Sequence, residues 1–75
     1  MPEVSRETAS QIAVEHVKRQ KASDKIDVAT VEGDSKGWVV RGTCPINLEG
    51  HSWAEKFEVC VDSKGKVKSS YFALL

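Results

Sequence analysis

Phe57-Glu58-Val59-Cys60-Val61-Asp62 followed by Ser63-Lys64-Gly65-Lys66-Val67 decides the fold. Phe57, Val59 and Val61 recur at every second position with Glu58 and Asp62 between them, which is the period of a strand buried on one face. Asp62 to Lys66 then supplies turn chemistry, with Gly65 available for positive φ, so the stretch predicts a strand, a tight turn and a second strand. Upstream, Gly33-Asp34-Ser35-Lys36-Gly37 leads in the same way into Trp38-Val39-Val40-Arg41. Four strands are therefore expected, at Ile26 to Glu32, Trp38 to Cys44, Trp53 to Asp62 and Lys66 to Leu74. Their sequential spacing predicts an antiparallel meander. The connection from Pro45 to Ser52 is longer than a tight hairpin needs, and surplus loop length is where binding residues tend to sit.

Before residue 25 the residue usage is that of a helix. Ser5 reads as the N-cap, Glu7 complements the positive helix end, and Val4 is placed to staple onto Ala9. Ala9, Ile12, Ala13, His16 and Val17 recur at three and four and share a face, while Lys18, Arg19 and Lys21 suit the negative C-terminal end. The helix should stop near Ala22. The expected fold class is α+β, one N-terminal helix packed on a four-stranded antiparallel sheet, filling residues 1–75 as a single domain. Seventy-five residues leave no room for a second core.

Alternation assigns the faces. With Trp38 inward, Val40, Gly42, Cys44, Trp53, Phe57, Val59 and Val61 follow, and Val28, Val67 and Tyr71 complete the helix-covered face. The opposite face should then hold Val31, Val39, Arg41, Phe72 and Leu74, more apolar surface than a solvated sheet back normally carries. These five are the first candidate partner-binding residues.

The sequence also resembles small PepSY-type and cystatin-like domains. The resemblance rests on Gln11-Ile12-Ala13 in a capped helix, the tryptophan-valine strand, and Phe57 to Asp62 running into Ser63-Lys64-Gly65-Lys66-Val67. The hairpin is more weakly similar to that of gas-vesicle accessory proteins, whose arginine- and tyrosine-rich end is replaced here by Tyr71-Phe72-Ala73-Leu74-Leu75. What the resemblance implies is the helix-plus-sheet layout, in a small prokaryotic or archaeal family.

Eleven basic and eleven acidic side chains cancel, so net charge encodes no attraction to nucleic acid or acidic membranes. With 40% hydrophobic residues the chain is no disordered tail, yet no apolar run approaches the ~18 residues of a membrane span. Met1-Pro2-Glu3 opens no signal peptide, and a cytoplasmic address is expected.

Chemistry-bearing residues are sparse. Cys44 and His51 bracket the loop that also holds Asn47 and Glu49, and these four form a candidate loop site. A thiol nucleophile needs a base within ~3 Å and oxyanion donors, and nothing from Pro45 to Gly50 resembles that scaffold, so Cys44 reads better as a small buried hydrophobe. His16 reads as a boundary histidine satisfied by one hydrogen bond. With Cys44 across from Trp53, Cys60 falls on the opposite face roughly 20 Å or more away, too far for a disulfide. No cofactor and no metal site is expected, two histidines and two cysteines lacking zinc-site spacing. A basic surface would arise if Lys18, Arg19, Lys21 and Lys25 met Lys64, Lys66 and Lys68, giving a nucleic-acid-binding alternative. The leading expectation is a non-catalytic intracellular interaction module whose partner is another protein or a second copy of the chain, with thiol or hydrolytic chemistry at Cys44 and His51 a distant third.

Overall fold

The computed structural model describes residues 4–21, 25–48 and 50–74, the side chains of residues 46–48 excepted. Helix α1 spans Arg6–Lys21 and is followed by β1 (Asp27–Asp34), β2 (Gly37–Leu48), β3 (His51–Asp62) and β4 (Val67–Leu74). The strands form one antiparallel sheet in the order β1-β2-β3-β4. This is the α+β arrangement expected from the sequence.

The helix starts where its cap dictates. The Thr8 amide donates to Ser5 Oγ at 3.1 Å, and the Ala9 amide to Ser5 O at 2.9 Å. Ala9, Ala13 and Val17, four apart, are fully buried. Two of the three are alanines, so the helix backbone lies close to the sheet. Beneath it sit Val40, Cys44, Phe57, Val59 and Val61, with Ile12, Ile26, Val31, Trp38, Val67 and Phe72 packed at the margin. The N-terminal end is pinned twice: Trp38 Nε1 donates to Val4 O at 3.0 Å, and the Val4 amide to Ser63 O at 3.2 Å.

Two side chains shape the outer hairpins. Asp34 Oδ1 accepts from the amides of Lys36 and Gly37, at 2.7 and 3.0 Å. Asp62 Oδ1 accepts from Lys64 and Lys66, at 2.9 and 2.8 Å. These Asx turns make the expected hairpins, and Gly65 takes the positive φ anticipated, 93°.

The expected long loop is absent. β2 and β3 pair without interruption from Gly37↔Asp62 to Leu48↔His51, closing through residues 49 and 50 with Gly50 at φ 81°. Pro45 is tolerated in β2 because β1 begins only at Asp27↔Thr43, leaving Pro45 no neighbour on that side to bond. The register also differs by two from expectation. Cys44 pairs with Glu55, and Cys60 with Val39.

Both edge strands carry a one-residue bulge that the alternation reading lacks. In β1, Val28 pairs with Gly42 and Thr30 with Arg41, so Ala29 is the extra residue. In β4, Val67 pairs with Val61 and Ser69 with Cys60, so Lys68 is extra. A bulge reverses the parity of all that follows. Val31 and Phe72 consequently turn under the helix and pack on the core, Leu74 joins their face, and Tyr71 turns outward.

Candidate interaction surface

The five residues proposed for one outer face do not lie together. Val39 and Arg41 are on that face, whereas Val31, Phe72 and Leu74 are on the helix side. Arg41 is moreover engaged internally, its Nη1 3.2 Å from Glu32 Oε2 and its Nε 3.2 Å from Glu58 Oε2. Hydrogen bonding to Glu58 and then to Glu32 raises the Arg41 pKa further above its already high value. The result is a polar cross-strand ladder over β1, β2 and β3.

The loop site dissolves as well. Cys44 is buried on the helix side, and His51 lies four residues beyond Cys44's partner Glu55 on β3, a strand distance of about 14 Å. Burial first, and then the charge of Glu55, push the Cys44 thiol up and disfavour the thiolate, against the opposing pull of Lys21. Glu49 and the Asn47 side chain lie outside the described residues. Both cysteines are free thiols, and their β-ladder partners put them on opposite faces. His16 is half-buried on the helix, its Nε2 without a hydrogen-bond partner among the described residues. Among those residues no group of three or more His, Cys, Asp or Glu side chains is placed to hold a metal ion.

The two basic clusters occupy opposite ends of the helix. A Cβ built on Gly65 would lie 3.2 Å from both Val4 Cγ1 and Ile12 Cδ1, so the hairpin carrying Lys64 and Lys66 sits against the first half of α1. Lys18, Arg19 and Lys21 close the other end, and Lys25 follows it. Lys68 is the bulge residue of β4. A single basic surface does not form.

What the structure does bring together lies where the helix stops. Sixteen residues of α1 rise about 24 Å, the length of some seven strand residues. Pinned near Ser63 at its start, the helix therefore reaches only the level of Glu55. There Lys21 Nζ lies 2.7 Å from Glu55 Oε1 and 4.4 Å above the centre of the Phe72 ring, an ion pair and a cation–π contact that close the core. β2 and β3 run past this point, giving the molecule a long axis of 44 Å against 19 and 17 Å across.

On the uncovered continuation Trp53 is 49% exposed, and Leu74, across from Glu55 at its border, is 56% exposed; Tyr71, across from Glu58 on the other face, is 60% exposed. Val28 on β1 is exposed at 37%. Alternation alone places Trp53 and Tyr71 in the core, and the structure corrects both. Trp53 has the predicted parity but no helix above it, and Tyr71 has the opposite parity because of the bulge at Lys68. Trp53 and Leu74 share the helix-side face, Leu74 across from Glu55 and Trp53 two residues further along β3. No protein-family model, curated protein or solved structure matches the chain.

Proposed function

We propose that this chain is a non-catalytic protein-interaction module that contacts its partner through the sheet end beyond α1. The observation that carries the reading is the half-exposed indole of Trp53 beside Leu74 on a face the helix fails to cover. Tryptophan and tyrosine are the side chains that most often dominate binding energy once desolvated by a partner. The rim of this patch is already organised, since Lys21 and Glu55 fix one another through an ion pair. A buried thiol held in its neutral form argues for a structural Cys44 and against thiol catalysis. The separation of Lys18, Arg19 and Lys21 from Lys64 and Lys66 weakens the nucleic-acid alternative. We assign the module to the cytoplasm, an address supported by two free cysteines. PepSY-type and cystatin-like domains stay a proposed kinship of layout.

The test places a photoreactive amino acid at position 53 in cells, with the same group at Lys36, in the turn between β1 and β2 at the far end of the sheet, as control. Position 53 should yield a protein-sized adduct that position 36 does not. No adduct from position 53, or identical adducts from both, would overturn the reading.

A further inference from the structure

The two edges of the sheet are built differently. β1 is broken by the bulge at Ala29 and carries Asp27, Glu32 and Asp34, devices that discourage another strand from adding there. After the bulge at Lys68, β4 runs Ser69-Ser70-Tyr71-Phe72-Ala73-Leu74 with no charge, no proline and no further irregularity. Such a segment on an open edge is a template for strand addition. Exposed apolar side chains flank this edge on both faces, Tyr71 on one and Leu74 on the other, as an added strand with alternating side chains would require.

The backbone direction follows from Pro45. A proline cannot donate, so the pair Pro45↔Ala54 is read as one without hydrogen bonds across it. Counting along the ladders from that pair, Ser69, Tyr71 and Ala73 bond to β3, while Ser70, Phe72 and Leu74 direct N–H and C=O to the open edge.

We infer that β4 pairs antiparallel with β4 of a second copy of this chain, joining two sheets into one of eight strands. The two-fold axis passes through Phe72. Phe72 then faces its own copy, Leu74 faces Ser70 of the second copy, and Tyr71 faces Ala73 of the second copy. This register uses the whole regular run and leaves Lys68 outside it. It also joins outward-pointing residues only to outward-pointing residues, so every new pair of even-numbered residues exchanges two backbone bonds. Pairing β4 with β1 of another copy would instead meet the bulged, acidic edge and would propagate without closing, whereas the two-fold pair closes on itself. Both helices lie on the same side of the joined sheet. The inference goes beyond the interaction reading above: its seam is the open edge of β4, apart from Trp53, and its partner is the chain itself.

Sedimentation equilibrium of the full chain from micromolar to millimolar concentration tests it. Wild type should show a monomer–dimer equilibrium. Ser70→Pro removes one outward amide and leaves the β3–β4 ladder its donors; it should weaken association at least tenfold with unchanged circular dichroism. A second pair of variants tests register without relying on proline. Tyr71→Lys with Ala73→Lys, and Tyr71→Glu with Ala73→Glu, place like charges directly opposite in each homodimer and opposite charges in the mixture. Each should be monomeric alone, and the mixture should dimerise. A monomeric wild type at millimolar concentration, or charged variants that associate as well alone as mixed, would overturn the inference. A monomer that still yields a foreign protein adduct from position 53 would refute edge pairing and leave the interaction reading standing. A dimer without that adduct would do the reverse.

Discussion

Adding one methyl group at Gly33 should destabilise the protein, although glycine-to-alanine changes within strands ordinarily stabilise it by about 0.5–1 kcal/mol. Gly33 pairs with Trp38 across β1 and β2, and the indole lies flat over it. A Cβ at Gly33 would stand 2.5 Å from Cζ3, 2.6 Å from Cε3 and 3.0 Å from Cδ2 of that ring. Carbon atoms settle at roughly 3.5–4.0 Å, so the ring must retreat by about 1 Å or more. It has little freedom to do so, because Nε1 is tied to Val4 O at 3.0 Å. Overpacking of this kind costs about 1–3 kcal/mol, and loss of the indole hydrogen bond about 0.5–1.5 kcal/mol. Set against the usual gain, the net expectation for Gly33→Ala is a loss of about 1–3 kcal/mol. Urea unfolding followed by far-ultraviolet circular dichroism measures it directly. Repeating the titration in Trp38→Leu should abolish the penalty and uncover the ordinary gain of about 0.5–1 kcal/mol, since the clash is with the ring. Neutral or improved stability of Gly33→Ala in the wild-type background would refute the account of how the indole is held.

Three further outcomes are expected. The amides of Lys66, then Lys64 and Gly65, hold the Asp62 carboxyl below its ordinary range, so the folded state binds fewer protons than the unfolded chain. That stabilisation is present above the unfolded value of about 3.9 and drains away as pH falls through the folded one, so Asp62→Ala should be less stable than wild type at neutral pH, with the gap closing below about pH 4; a gap of constant size would contradict the turn assignment. Iodoacetamide should modify half-buried Cys60 on the native protein well before buried Cys44, as read by peptide mass spectrometry, and equal rates would mean that the helix does not cover Cys44. Deleting Lys68 removes the bulge without moving Phe72 to the other face, so the fold should survive. Were there no bulge, the same deletion would turn Phe72 outward at a cost of about 1.5–3 kcal/mol in urea titration, and a loss of that size would place the bulge elsewhere.

The helix, its cap and the strand order were legible because each rests on a strong local signal: Ser5 before an apolar period of four, and Asp-x-x-Gly turns between valine-rich runs. Face assignments held in the two central strands, where Val40, Val59 and Val61 leave no doubt about parity. They failed on the edges. Tyr71 and Phe72 are adjacent aromatics, so neither parity looks wrong in the sequence, and a single inserted lysine decides between them. In β1 the spacing of Val28 and Val31 did carry a clue, since residues three apart share a face only across a bulge. Pro45 suggested a strand end because proline removes a ladder donor, but β2 has no β1 neighbour there to miss it. The exposed patch was hidden for a quantitative reason. A helix of sixteen residues covers little more than half of a twelve-residue strand, and comparing those lengths would have placed Trp53 outside the core.

The sequential strand order also governs the route by which the chain reaches this state. Each strand finds its neighbour across a connection of a few residues, the β2–β3 pair closing over only residues 49 and 50. Helix docking joins distant parts, bringing Val17 into the core that Val40, Val59 and Val61 form and Val4 against Ser63. Loop-closure entropy makes short hairpins the cheaper first contacts, and a seam between distant segments is made later. Changes in the β2–β3 turn should therefore slow refolding, whereas weakening the helix seam, as in Val17→Ala, should chiefly accelerate unfolding. The longest strands of the molecule are then its nucleus, and the helix that hides its core acts as the latch.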